Sequence, residues 1–202
     1  LERIVPTTVE IVDIAGLVRG ASKGEGLGNK FLGNIRETDA IIHVLRCFDN
    51  DNITHVDTTI DPVRDKETID IELQLKDLET VESRILKVEK QAKAGNDPEA
   101  KRLLKILTLF REALVQGKSA RTVEIDETDQ KLAKELQLLT NKPILYVCNV
   151  DEAAVTTGNA YVDAVKAAIK DENAEMLMIA AATEADIAEL ESYDERQMFL
   201  DD

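Results

Sequence analysis

Asp13 and Gly16 follow an apolar run, Val9-Glu10-Ile11-Val12, and that order suits one kind of chemistry. A strand that delivers a carboxylate at its C-terminal end can hold Mg²⁺ beside a phosphate, often through a coordinated water. Three residues on, Gly16 lets a backbone N–H approach a γ-phosphate with no Cβ in the way. When that phosphate leaves, the glycine-rich loop behind it (Gly20, Gly24, Gly26 and Gly28) loses its anchor and can move, which is how a nucleotide switch works. Standing alone, D-x-x-G is a weak pattern, because Asp and Gly end strands everywhere.

A second constellation raises its weight. The run Ile144 to Cys148 reads as a buried strand and ends in Asn149-Val150-Asp151-Glu152. Guanine-reading loops carry N-K-x-D at this place: the Asn braces the loop and the Asp carboxylate accepts from the base edge. Here Val150 replaces the Lys, where its aliphatic group can pack on a base plane, and Glu152 replaces the Asp with one more methylene. The longer acid cannot keep the same bidentate geometry. Guanine selection is thereby relaxed, adenine becomes a candidate base, and the choice between ATP and GTP stays open. A third feature, Ala180-Ala181-Ala182-Thr183, follows the last strand pattern. Small residues at Ala181 and Ala182 let backbone N–H groups reach a base edge, although an ordinary tight strand-to-helix turn reads the same way. The order of the three features carries more than any one of them.

The elements that must position these residues alternate. Strand patterns cover Val9–Val12, Ala40–Cys47, Ile144–Cys148 and Met176–Ala180. Helical patterns cover Asn29–Glu37, about Lys66–Lys93, Pro98–Gln116, Glu127–Leu139, Tyr161–Lys170 and a last piece from near Glu184. Alternation of this kind predicts a parallel α/β sheet. Between two of its strands, Gly95-Asn96-Asp97-Pro98 breaks a long amphipathic stretch, with Asp97 a natural N-cap and Pro98 at the first helical position. Gly117 ends the second helix. The pair predicts an antiparallel helical hairpin, a short coiled coil inserted into the sheet domain.

The 202 residues allow one domain with an insertion, and their net charge of −15 is unevenly spread. From Arg84 to Arg121 there are ten Lys/Arg against four Asp/Glu, a local +6 that leaves −21 elsewhere. The acidic remainder argues against general nucleic-acid binding, so the hairpin is the one place where an RNA or ribosome contact suits the electrostatics. A plainer reading makes those charges a solvated face. Aromatic residues make up 3% with no Trp, which disfavours readout by base stacking over a flat surface. No apolar run reaches the roughly 18 residues of a membrane span. Cys47 and Cys148, both at the ends of apolar runs, read as core thiols in a reducing cytoplasm rather than a disulfide or metal pair.

The stretch Val12–Leu32, followed by Asn34–Ile41 and Arg46–Val56, resembles the YchF/Obg-like ATPases, translation-associated P-loop NTPases. Asn149–Glu152 and Ala185–Leu190 fit the same family, and the resemblance covers nearly the whole chain. It implies a GTPase-like P-loop NTPase fold, a parallel sheet with helices plus the coiled-coil hairpin. It also implies ATP preferred over or accepted beside GTP, Mg²⁺ held by Asp13 through water, and association with ribosomes. The expected division is residues 1–65 and 127–202 for the nucleotide-binding domain and 66–126 for the hairpin. The family's Walker A loop is expected before Leu1 and its TGS domain after Asp202. Without the nest of N–H groups in that loop, this stretch alone is expected to bind nucleotide weakly or not at all.

Leu17 stands directly after D-x-x-G, where switches of this type place a water-orienting Gln, and an aliphatic group cannot position water. Two histidines are present. His43 lies within a strand pattern and reads as a core residue. His55 lies in the polar loop Asp49–Asp61 and is the candidate to orient the attacking water. Two function classes follow: a nucleotide-hydrolysing switch, or a non-catalytic binding module that acts through the basic hairpin.

Overall fold

A computed structural model describes residues 6–14, 27–50, 59–94 and 97–201. Its elements are α1 (Leu27–Glu37), β1 (Ile41–Arg46), α2 (Pro62–Ala94), α3 (Pro98–Val115), α4 (Gln130–Glu135), β2 (Ile144–Asn149), α5 (Ala160–Ile169), β3 (Glu175–Ile179), α6 (Ala181–Glu189) and α7 (Tyr193–Asp201). The three strands form one sheet in the order β1-β2-β3, and both pairs are parallel. Ile41 stands opposite Ile144 and Arg46 opposite Asn149, so β1 and β2 end level with one another. The parallel α/β sheet with a helical hairpin between two of its strands is as the sequence predicts.

Strand alternation sets the core. On one face Leu45, Cys47, Tyr146, Cys148 and Val150 pack against Val162, Val165 and Ile169 of α5. On the other face Ile42, Val44 and Leu177 are exposed. Cys47 and Cys148 are both free thiols with no exposed surface, and the hydrogen bond between them together with burial pushes the Cys47 thiol well up from its usual range.

Residues 6–14 correct one expectation. Val9–Val12 has a strand's residue pattern, yet no strand forms there, and Val9 and Ile11 are 77% and 78% exposed. A strand exists only through a ladder partner, and residue preference alone does not supply one. Ile14 is held instead by a small cluster of Leu32, Ile35, Leu73 and Leu139.

Helix α2 begins at Pro62, about a turn before the periodicity suggests, because Asp61 Oδ1 accepts from Arg64 N at 3.0 Å with Pro62 at the first helical position. Its 33 residues span roughly 50 Å at 1.5 Å per residue. The hairpin turn is as expected: the Asp97 side chain accepts from Glu99 N and Ala100 N. Helix α3 stops in a Schellman arrangement, with Gly117 at φ +72, Gly117 N on Leu114 O and Lys118 N on Ala113 O. Val81, Val88, Ile106, Leu107, Phe110 and Leu114 close the hairpin core.

The expected helix Glu127–Leu139 is broken. A 3₁₀ turn at Glu127–Asp129 leads into α4, Gln137 takes a left-handed φ of 50, and a second 3₁₀ turn occupies Leu139–Asn141. Asp77 of α2 is the cause. Its carboxylate, with no exposed surface, accepts from Leu139 N at 2.8 Å and from Thr140 N and Oγ1 at 2.7 Å each, so those amides are satisfied across the fold.

Candidate functional site

Parallel strands of an open α/β sheet present ligands at their carboxyl ends, and here three chain segments meet at that edge. Cys47 N donates to Asn149 O at 2.8 Å, and Val150 N donates to Ile179 O at 2.8 Å. These two bonds carry the ladder one residue past each strand.

Asn149 sits at the centre. Its side-chain oxygen accepts from Ala181 N at 3.1 Å, which joins the second sequence feature to the third across 32 residues. The small-residue segment is therefore no separate turn: α6 starts at Ala181, with the buried Ala180 at its N-cap and Glu184 N bonded to Ala180 O. The Ala181 N–H is committed to Asn149, which removes it from any base. Ala182 keeps a first-turn amide with no intrahelical partner, as every helix start does.

Val150 corrects the expectation that it packs on a base plane. It is 3% exposed and belongs to the sheet core, in the same inward parity as Tyr146 and Cys148. The buried side chain fixes the loop from below. Glu152 opens a 3₁₀ turn (Glu152–Ala154) and is exposed, so its carboxylate is the acid presented at this edge. Asp151 is not available in the same way, because Oδ1 accepts from Ala154 N at 3.0 Å and caps that turn.

The far side of the loop holds residues that the sequence reading did not single out. Asn159 caps α5 by accepting from Val162 N at 3.1 Å, and its Nδ2 donates to Cys47 O at 2.7 Å. Tyr161 OH donates to Asp49 Oδ1 at 2.9 Å. Arg46 folds back on the same segment: Nε donates to Phe48 O at 3.2 Å, and its guanidinium carbon lies 4.9 Å from the centre of the Phe48 ring. The Asn before a helical pattern was the available signal for Asn159, but a cap reveals only its oxygen.

Asp13 is exposed in irregular backbone, and the structure does not bring it to Asn149 through any described contact. Among the described residues no group of three or more His, Cys, Asp or Glu could hold a metal. A lone carboxylate fits Mg²⁺ that arrives already held by phosphates and water, and it does not fit an all-protein cage. Gly16, Leu17 and His55 lie outside the described residues. His43 is half-buried on β1 with its ring 5.7 Å from that of Tyr146, as expected of a core histidine; burial holds its pKa below the ordinary value.

Known proteins share the fold described above. Residues 2–76 match the family model described as 50S ribosome-binding GTPase. The chain is 53% identical over its whole length to the Bacillus subtilis ribosome-binding ATPase YchF and 50% identical to that of Haemophilus ducreyi. Along its whole length the chain is similar to the YchF ribosome-binding ATPases. It spans 55% and 54% of those two relatives, about half their length. The solved structure of the Schizosaccharomyces pombe YchF GTPase superposes with a TM-score of 0.75 at 31% identity, over 92% of this chain and 51% of that one. The fold is that of the GTPase-like P-loop NTPases, with the helical hairpin inserted between β1 and β2.

Proposed function

We propose that this chain forms the base-reading and switch part of a nucleotide-hydrolysing protein that prefers ATP to GTP, uses Mg²⁺, and acts with the ribosome in the cytoplasm. The observation that carries this reading is the Asn149–Ala181 bond, which braces the loop presenting Glu152 just as a base-reading Asn must. The names of the YchF relatives, ribosome-binding ATPases, agree with it. Glu152 and the Ala182 amide would take the base edge, while Asp13 and Gly16 would stand on the Mg²⁺ and γ-phosphate side. His55 would orient the attacking water. The division into a nucleotide domain (1–65 and 127–202) and a hairpin (66–126) belongs to the same reading.

Calorimetry tests it directly. The full-length polypeptide is expected to bind ATP more tightly than GTP, and Asn149→Ala to weaken both, because the loop loses its brace. The 202-residue chain alone is expected to bind weakly, and a sub-micromolar ATP affinity for it overturns that part. Unchanged ATP turnover in full-length His55→Ala removes His55 from the mechanism.

One observation favours a second reading, a binding module working through the hairpin. Arg84, Lys87 and Lys90 are all exposed on the distal half of α2, beside the 66% exposed Leu86. If hydrolysis is absent while charge reversal at Lys87, Lys90, Lys101 and Lys105 abolishes ribosome co-sedimentation, the hairpin alone carries the function.

A further inference from the structure

The base-reading segment, residues 149–159, is closed into a ring by one residue of the neighbouring strand end. Cys47 N–H donates to Asn149 O at 2.8 Å, and Cys47 C=O accepts from Asn159 Nδ2 at 2.7 Å. The first and last residues of the segment are thus clasped to the two sides of the same residue. Inside the ring the chain is held from below by the buried Val150 and Ala154. Gly158, at φ +72, turns it back, and Gly158 N bonds to Ala154 O at 2.8 Å. Glu152 is the exposed acid carried on top.

The identity of residue 159 has a reason beyond its cap. Capping α5 needs only an oxygen acceptor, which Ser, Thr or Asp would supply equally well. The second bond needs a donor pointing the other way, toward a carbonyl, and a carboxamide offers both at once. Only one orientation of the amide satisfies Val162 N and Cys47 O together. Two residues on, within the first turn of α5, Tyr161 adds a tie to Asp49. The same side chain therefore anchors the helix and shuts the loop.

We propose that Asn159 is a positioning residue for nucleotide selection: its bond to Cys47 O fixes the height and tilt of the Glu152 turn, and with them the discrimination between adenine and guanine nucleotides. This rests on the reading of residues 149–152 as the base-reading segment. Asn159 touches no base itself. Its effect passes through the ring, so it belongs in KM and in selectivity, with the chemical step left intact.

The test uses the full-length polypeptide with three variants: Asn159→Ser and Asn159→Asp, both of which keep a capping oxygen and lose the donor, and Glu152→Ala. Steady-state kinetics with ATP and GTP and thermal melting are read on each. Expected for both Asn159 variants is a change of about tenfold in the ATP:GTP ratio of kcat/KM, mostly in KM, with kcat held within about twofold. Melting stays close to that of the parent in Asn159→Ser and falls in Asn159→Asp, whose carboxylate would face the Cys47 carbonyl. An unchanged ratio in both, with Glu152→Ala altering it, overturns the role of Asn159 alone. An unchanged ratio in all three overturns the base-reading assignment along with it. A loss of kcat and melting temperature together, with the ratio constant, also overturns the proposal, since a purely structural cap would give that result.

Discussion

The two halves of α2 lie in one unbroken helix and are held by opposite means. The half against the sheet buries Lys66, Asp70, Glu72, Gln74 and Asp77 beside one apolar residue, Leu73, whereas the half in the hairpin buries Val81 and Val88. Lys66 Nζ donates to Asp70 Oδ2 at 2.7 Å and to Glu172 Oε1, lies 5.4 Å from the centre of the Tyr146 ring, and shares Glu172 with the Tyr146 hydroxyl at 2.8 Å. Burial opposes the charge on Lys66, but Asp70 and Glu172 outweigh it and hold its pKa above the usual value. Buried ions of this kind add little net stability, because desolvation consumes most of the attraction. What they add here is a requirement on geometry: α2 can sit against β2 and the α5–β3 turn in one register only. The hairpin makes no such demand. Apolar side chains of about the right volume suffice there.

Asp77 gives the sharpest way to break that contrast. It is one end of a chain in which Ala120 N donates to Thr140 Oγ1 at 3.0 Å and Thr140 Oγ1 donates to Asp77 Oδ2. Asp77→Ala leaves two buried amides and a hydroxyl without an acceptor, at an expected cost of about 3–5 kcal/mol in urea unfolding. The isosteric Asp77→Asn is expected to cost nearly as much, since its NH₂ group would face N–H donors. A near-neutral Asp77→Asn would show that shape, not donor–acceptor matching, governs this half as well.

In the hairpin the expected order is reversed. Leu107 has no exposed surface, and Leu107→Ala should cost about 2–5 kcal/mol through lost contact and a cavity. Leu107→Met, which keeps the volume, should cost less than about 1.5 kcal/mol. The conservative swap is thus mild on the hairpin side and severe on the sheet side. Equal penalties for Leu107→Met and Asp77→Asn in denaturant melts would erase the distinction.

The same division explains what could be read in the sequence. The hairpin was legible apart from the first turn of α2, because its core follows helical periodicity, its turn is punctuated by Asp97 and Pro98, and Gly117 ends α3. β1, β2 and β3 were legible from apolar runs. Asp77 was not, since a charged residue on a helix reads as solvent-facing and its partners lie 62 and 63 residues away. The first turn of α2, residues 62–65, was missed because it carries little apolar period; its signal was the Asp61-Pro62 cap. At the candidate site, Asn149 was visible as part of a motif, but that it reaches Ala181 was not. Strand parity already implied an inward Val150, and comparison with a guanine-reading Lys obscured it. Residues 9–12 show the converse, a local pattern with no ladder partner among the described residues.

His43 provides the finest probe of the two halves. It faces Tyr146 across the sheet, and burial lowers its pKa, with Asp70 and Glu172 working against that and Lys66 and Arg121 with it. A histidine whose folded pKa is depressed contributes stability above its unfolded value of about 6.5, and that contribution is lost as pH falls toward the folded pKa. Between pH 7.5 and 5.5 the unfolded chain takes up a proton here that the folded chain resists. Asp77 runs the other way, because burial pushes its carboxyl up despite the bonds from Thr140 and Leu139, so the informative quantity is a difference between variants. His43→Gln should flatten the fall in unfolding midpoint over this range relative to the parent. Leu107→Met should leave the slope as it is, since the hairpin core around it is apolar. An identical slope in His43→Gln would mean that the imidazole is solvated in the folded state. The pH response would then have to come from elsewhere on the sheet side, with the polar cluster of Lys66, Asp70 and Glu172 as the next place to substitute.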